Sequence, residues 1–159
     1  MEHEGWHVKA REYFENIRAE VRDCERERAR LERKRSAEDL RPSQRDAAAG
    51  HTYGGCVLDS MGRVDDRLDA EADLRRHRAS LNAELDEASA VLYGQSNRGG
   101  VAKGMGSLYA DIVCMVYLQG EPWPVVAARL SLSVGWCREL ANQAFDFVDE
   151  FGFAALKES

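Results

Sequence analysis

The chain has 159 residues, of which 31% are charged and only three are proline, and its formal net charge is −6. This composition favours long helices over sheets and excludes a strongly basic protein that binds nucleic acid through its overall charge. No apolar run approaches the length of a membrane span and no basic-then-apolar signal opens the sequence. We therefore expect a cytoplasmic protein without a membrane partner.

The first pattern along the chain is His3-Glu4-Gly5-Trp6-His7, which matches the H-E-x-x-H of zinc peptidases. A zinc site also needs a third protein ligand, and a glycine-containing turn at a frayed end provides no cradle for the ion. We interpret the match as chance. The four cysteines (Cys24, Cys56, Cys114 and Cys137) lack paired metal-ligand spacing, which indicates reduced thiols. We expect no metal and no cofactor.

A long first helix is predicted from about Trp6 to Leu40. Its seam recurs in steps of three and four residues, as in a heptad repeat with one arginine in it: Phe14, Ile17, Val21, Cys24, Arg28 and Leu31. Many opposite charges on this helix lie three or four residues apart, which stabilises it. The arginine-rich stretch 26–35 is either a phosphate-facing patch or a solvated, salt-bridged face.

A second long helix is predicted from about Val57 to Tyr93, after an irregular connection that begins at Pro42. It has two apolar stripes, the first with Val57, Met61, Val64 and Leu68 and the second with Leu74, Leu81, Leu85, Ala88 and Leu92. The stripes are out of heptad register, so the two halves of the helix should face different neighbours. We expect the two long helices to form an antiparallel hairpin that self-associates or packs against the C-terminal part.

Five glycines fall between Gly94 and Gly106. The segment lacks the spacing of a phosphate-binding loop, and its composition predicts a flexible linker. The predicted organisation is therefore all-α: a charged helical hairpin over residues 1–93, a linker over 94–106 and a C-terminal domain over 107–159.

The C-terminal domain carries three helix signals in succession. Ser107 is placed to cap a first helix, Pro124 to open a second that ends at Leu130, and Ser133 to cap a third that runs to about Phe151. Two helices joined by three or four residues, the second beginning at a serine cap, have the spacing of a helix-turn-helix. A small three-helix bundle with a polar outer face fits the same spacing.

The stretch from Trp123 to Arg138, WPVVAARLSLSVGWCR, resembles the DNA-binding fourth region of sigma factors. Ser131 stands where that family usually has glycine in the turn, so we expect a wider or strained turn. Cys137 replaces the usual Val or Ile, which a small buried hydrophobic residue can do.

The order of an opening Lys9–Phe14 segment, a charged hairpin and a tryptophan-containing helix-turn-helix resembles phage-encoded regulators of the ArpU/RinA type. The resemblance implies a DNA-binding regulator of late phage genes that acts with host RNA polymerase. Separately, no nucleophile, base and orienting group occur together on any predicted element, so we expect no enzyme. The resemblance also implies that Ser133 touches a phosphate, that Arg138 contacts a guanine or a phosphate, and that Asn142 and Glu139 contact adenine and cytosine. The DNA-facing residues it implies are Arg129, Ser133, Val134, Trp136, Arg138, Glu139 and Asn142.

Charge argues for a second interpretation. Residues 107–159 contain three basic and seven acidic side chains, so this part alone should bind phosphates weakly. DNA binding would then need a homo-oligomer, a basic patch elsewhere or a protein partner. The alternative is an acidic module or inhibitor that binds a host or phage protein through Trp136 and the C-terminal phenylalanines.

Overall fold

The computed structural model describes residues 8–40 and 56–159, with side chains from Gly62 onward in the second range. These residues are helical with no strand, which confirms the predicted all-α class. The H-E-x-x-H match and the connection over 41–55 lie outside the described residues. The helices are α1 (Ala10–Asp39), α2 (Cys56–Tyr93), α3 (Gly100–Gly104), α4 (Ser107–Val113), α5 (Trp123–Leu130), α6 (Val134–Phe151) and α7 (Phe153–Glu158).

The described chain divides into two compact units, which do not follow the predicted domain boundaries. One unit is Met1–Arg22 with Leu81–Ser159, and the other is Asp23–Ser80. The start of α1 and the end of α2 belong to the same unit as the C-terminal helices, because they bury large apolar side chains there. Phe14 and Leu92 are fully buried, and each such side chain contributes about 1.5–3 kcal/mol.

Within the unit Asp23–Ser80, α1 and α2 run antiparallel. Glu38 near the end of α1 pairs with Arg67, and further back Glu27 Oε2 lies 3.3 Å from His77 Nδ1, where the carboxylate is the acceptor. Two members of the first apolar stripe of α2 are open to solvent, Val64 with 43% and Leu68 with 52% exposure. None of the described helices combines the length and apolar character needed to cross a membrane.

The arginine-rich stretch 26–35 of α1 is a solvated face, as the contacts of three of its arginines show. Arg26 pairs with Asp23, and Arg28 Nη1 lies 3.8 Å from Glu25 Oε1, both pairs being one helical turn apart. Arg33 Nε donates to the Ala29 carbonyl at 3.2 Å. Exposed pairs of this kind add only a few tenths of a kcal/mol.

The core of the first unit is centred on aromatic rings from three different helical segments. Phe14 of α1 stacks on Phe145 of α6 with centroids 5.5 Å apart, and Tyr117 meets Phe145 edge-on at 5.2 Å. Aliphatic side chains fill the space around these rings, among them Val91, Val101, Ile112, Val116, Val126 and Val148, all fully buried. The N-terminal end of α1 is therefore a structural part of the C-terminal domain.

The glycine-rich segment is packed, in contrast to the predicted flexible linker. It contains α3, and Val101 is fully buried. Gly100 has φ +62°, its N–H donates to Ser159 Oγ at 2.8 Å, and a Cβ there would lie 2.8 Å from the Leu92 carbonyl oxygen. Glycine is needed at this position for close packing and for its backbone angles.

Helix α4 begins one residue earlier than its predicted cap implied. Gly106, with φ +122°, is the N-cap and Ser107 is already helical, so the prediction that Ser107 caps the helix was wrong. A π-helical turn, Cys114–Leu118, follows directly, with the Gln119 N–H donating to the Cys114 carbonyl at 3.0 Å. Such a turn widens the helix and changes the direction in which the next side chains point.

Candidate nucleic-acid interface

Helix α5 is started by the two prolines around Trp123. Pro122 is the extended N-cap residue, and Pro124 occupies the second helical position, one place later than predicted. Both positions tolerate proline because the first N–H groups of a helix have no partner within it. Val126 and Ala127 are buried against the rest of the domain, and the small Ala127 allows the next helix to approach closely.

The turn after α5 contains the strained residue that the sequence predicted. Ser131 has φ 56° and ψ 40°, the left-handed conformation that glycine adopts without cost. Its N–H donates to the Ala128 carbonyl at 3.2 Å, and the N–H of Leu132 donates to the Ala127 carbonyl at 2.9 Å. These bonds complete a tight turn between α5 and α6 in spite of the serine.

Helix α6 begins at the predicted cap. Ser133 is extended, and its Oγ accepts the N–H of Trp136 at 3.1 Å, a bond that typically stabilises a helix by about 1 kcal/mol. The predicted core residues Cys137, Leu140, Ala141 and Ala144 are buried, whereas Leu130 and Leu132 are only half-buried. Burial raises the pKa of the Cys137 thiol, so this free cysteine is a packing residue.

The predicted DNA-facing residues lie at the end of α5, in the turn and along α6, and none of them is fully buried. Trp136 is 50% exposed, Arg129, Ser133, Arg138 and Glu139 are exposed, and Val134 and Asn142 are half-buried. The surface therefore presents an indole, cations, a carboxylate and an amide.

Two of these predicted residues have partners near the turn. Arg129 Nη2 lies 3.3 Å from Glu121 Oε1, so its charge is partly neutralised. Glu139 accepts a bond from Gln143 Nε2 at 3.3 Å.

Helix α1 runs antiparallel to α6 along one edge of this surface. The N–H of Ala10 donates to Asp149 Oδ1 at 2.7 Å, and Arg11 Nη2 donates to Asn142 Oδ1 at 2.8 Å. Further along α1, Arg18 lies over the ring of Trp123 at the start of α5. Local sequence patterns could not identify α6 as this neighbour, since the residues that meet are more than 100 positions apart.

Trp123 lies between two arginines. The guanidinium carbon of Arg18 is 5.8 Å from the Trp123 ring centroid and that of Arg138 is 5.6 Å from it. Arg18 also lies 5.5 Å from the Tyr117 ring. Burial lowers the pKa of Arg18, with further lowering by Arg22 and Arg138, and burial raises the pKa of Tyr117. Cation–π contacts of this kind hold the guanidinium groups in place.

Sequence reasoning missed Arg11 and Arg18 as members of this surface. Their spacing of seven residues was a signal, since it places both on one face of α1, but the face could be assigned only once α6 was seen beside it. No group of three or more His, Cys, Asp or Glu side chains suited to a metal occurs in the described ranges.

Comparison with protein-family models, with curated proteins and with solved structures returned no match.

Proposed function

We propose that this chain is a phage-type transcription regulator of the cytoplasm that binds DNA through α5 and α6. The observation that carries the proposal is the geometry of the turn. A left-handed Ser131 is followed by the Ser133-capped α6, whose outward face holds side chains suited to base contacts. Recognition helices contact bases with residues near their N-terminal end, where Trp136, Arg138 and Glu139 lie.

Each proposed contact follows from side-chain chemistry. Glu139 would accept a hydrogen bond from a cytosine amino group, and Asn142 would pair with an adenine edge. The Arg11 bond to Asn142 Oδ1 orients that amide and leaves its NH₂ group as a donor. Trp136 would contact a thymine methyl group. Ser133 would lie near a phosphate at the start of the helix, where the N–H groups favour anions.

Most acidic side chains of α6 lie away from the end that is proposed to contact bases. Asp146, Asp149 and Glu150 are exposed, and all three are in the C-terminal half of the helix, away from the proposed base-reading end. They would still weaken attraction to DNA. We therefore propose in addition that the active form is a homo-oligomer or a complex with RNA polymerase.

Selection of bound sequences from a random duplex DNA library tests the proposal. We expect one enriched motif, with Asn142→Ala relaxing the preference at one position and Glu139→Ala at another. Each loss should be about 1–3 kcal/mol of discrimination, roughly 5- to 150-fold. Glu84→Ala, an exposed glutamate of α2, is the matched control and should leave the motif unchanged. Recovery of no enriched motif by the wild-type protein would refute the regulator function.

A protein-binding module is the second candidate, favoured by the exposure of two large aromatic side chains on α6. Trp136 is 50% and Phe151 is 54% exposed, and exposed tryptophans are common centres of protein interfaces. The other C-terminal phenylalanines give less support, since Phe145 is core and Phe147 packs on Phe151 at 4.4 Å.

Binding to purified bacterial RNA polymerase tests whether Trp136 makes a protein contact, and the DNA selection above tests the regulator function separately. If the surface is a polymerase contact, Trp136→Ala should weaken binding by about 2 kcal/mol, roughly 30-fold. The control Leu68→Ala removes an equally exposed apolar side chain of α2 and should have no effect. Equal binding by both variants would argue against a protein contact through Trp136.

A further inference from the structure

Helix α1 carries a cationic surface beside α6, apart from its arginine-rich stretch 26–35. Arg11, Arg18 and Arg22 are separated by seven and four residues, which places them on one face of the helix. The contacts of α1 with Asp149, Asn142 and Trp123 locate this face beside α6. Together with Arg138, which shares Trp123 with Arg18, these residues are here called the α1 arginine row.

The α1 arginine row has no acidic partner among the described residues, unlike four arginines of the other unit. Arg26, Arg28, Arg67 and Arg76 each pair with a carboxylate. Arg18 and Arg138 instead share an aromatic ring, and the buried Nε of Arg18 has no hydrogen-bond partner. A buried donor without a partner is unfavourable, so a hydrogen-bond acceptor that approached Arg18 would be favoured.

The acids near the row do not neutralise it. Glu15 lies on the same face of α1, where its charge acts on Arg18 without forming an ion pair. Asp149 is engaged by the N–H of Ala10. The repulsion of Arg18 by Arg22 and Arg138 acts in the same direction as burial and lowers the pKa of Arg18. An anion between these guanidinium groups would relieve the repulsion.

We propose that the α1 arginine row binds the phosphodiester backbone of duplex DNA along the edge of the groove that α6 enters. The inference rests on the proposed function and adds the surface that supplies the missing positive charge. From Arg11 to Arg22 the helix rises by roughly 16 Å, comparable with the axial rise of about five phosphates of one strand. A backbone contact of this kind positions the protein without reading sequence.

The test measures sequence-independent binding. The probe is a fluorescein-labelled duplex of mixed sequence, about 30 base pairs long, titrated by anisotropy in about 50 to 200 mM KCl. The variant Arg11→Gln/Arg22→Gln removes two exposed members of the row and leaves the Arg18–Trp123 contact intact. Since each phosphate contact adds about 0.9 to the salt slope, the slope should fall by roughly two and binding at about 0.1 M salt by 10- to 100-fold.

The matched control is Arg30→Gln/Arg75→Gln, which removes the same charge from two exposed positions of the unit Asp23–Ser80. It should keep the wild-type slope. Arg18→Lys provides a further variant that keeps the charge but loses the planar stacking, and it should bind more weakly at an unchanged thermal midpoint. An equal loss in the control pair, or a wild-type slope in the row variant, overturns the proposal.

The outcomes separate this inference from the proposed function. If the row variant loses binding to the mixed-sequence duplex but selection yields no motif, the row is a backbone site and the regulator function fails. If selection yields a motif that the row variant binds with wild-type affinity and salt slope, the regulator function stands and the row is not the backbone site. Absence of any wild-type binding to the duplex at about 50 mM salt overturns the inference.

Discussion

Replacing Ser131 by glycine should stabilise the helix-turn-helix. Ser131 is exposed and holds φ 56° and ψ 40°, a conformation that costs a residue with a side chain about 1–2 kcal/mol. Glycine avoids this cost but loses about 0.5–1 kcal/mol through its greater freedom in the unfolded chain. The expected net gain for Ser131→Gly is therefore about 0.5–1 kcal/mol.

The assay is urea unfolding followed by tryptophan fluorescence in a Trp6→Phe background, so that the signal comes from Trp123 and Trp136 on either side of the turn. Ser131→Ala should be close to neutral because alanine keeps the strain, whereas Ser131→Val should destabilise because a β-branched side chain tolerates this conformation least. Ser133→Ala should lower stability by about 1 kcal/mol through loss of the cap. A destabilised Ser131→Gly, or equal gains for glycine and alanine, would refute the reasoning.

Two further predictions concern the packing around the turn. Gly100→Ala should destabilise the protein by about 1–3 kcal/mol in urea unfolding, because a Cβ would collide with the Val91 and Leu92 carbonyl oxygens. A flexible linker would instead gain about 0.4–1 kcal/mol from the same change. The Tyr93 hydroxyl donates to Asp111 Oδ1 at 2.6 Å, and its pKa is raised by burial and by that hydrogen bond. The folded state therefore keeps the Tyr93 proton at a higher pH than the unfolded state does, so the free energy of unfolding should fall as the pH rises above about 10. Tyr93→Phe should flatten that fall in unfolding measured at a series of alkaline pH values, and an unchanged slope would contradict the assignment.

Local signals in the sequence were sufficient for the two long helices, for α5 and α6, and for the turn between α5 and α6. The Ser133 cap, the steric problem at Ser131 and the burial of Cys137 all depend on residues within a few positions of one another. The helix ends predicted from proline agree with the structure to within one residue, because proline fixes its own backbone φ angle and has no N–H donor.

Features that depend on distant residues were not predictable in the same way. Glycines between 94 and 106 suggested flexibility, but Gly100 is glycine because the carbonyl groups of α2 lie against it. The pairing of Arg18 with Trp123 joins residues far apart in the chain. The two apolar stripes of α2 have similar spacing in the sequence but differ in burial, since Leu81 is buried and Leu68 is exposed.

Asp149, in the acidic C-terminal end of α6, accepts a hydrogen bond from the Ala10 N–H and so joins this end of α6 to the beginning of α1. A carboxylate in the last turn of a helix is disfavoured by that helix's own dipole, but the same group is favoured at the beginning of another. Asp149 occupies both positions at once. The negative charge of Asp149, which repels a polyanion, therefore also holds the segment that carries Arg11 and Arg18. Neutralising Asp149 would make the domain more basic, but it would also loosen the α1 arginine row.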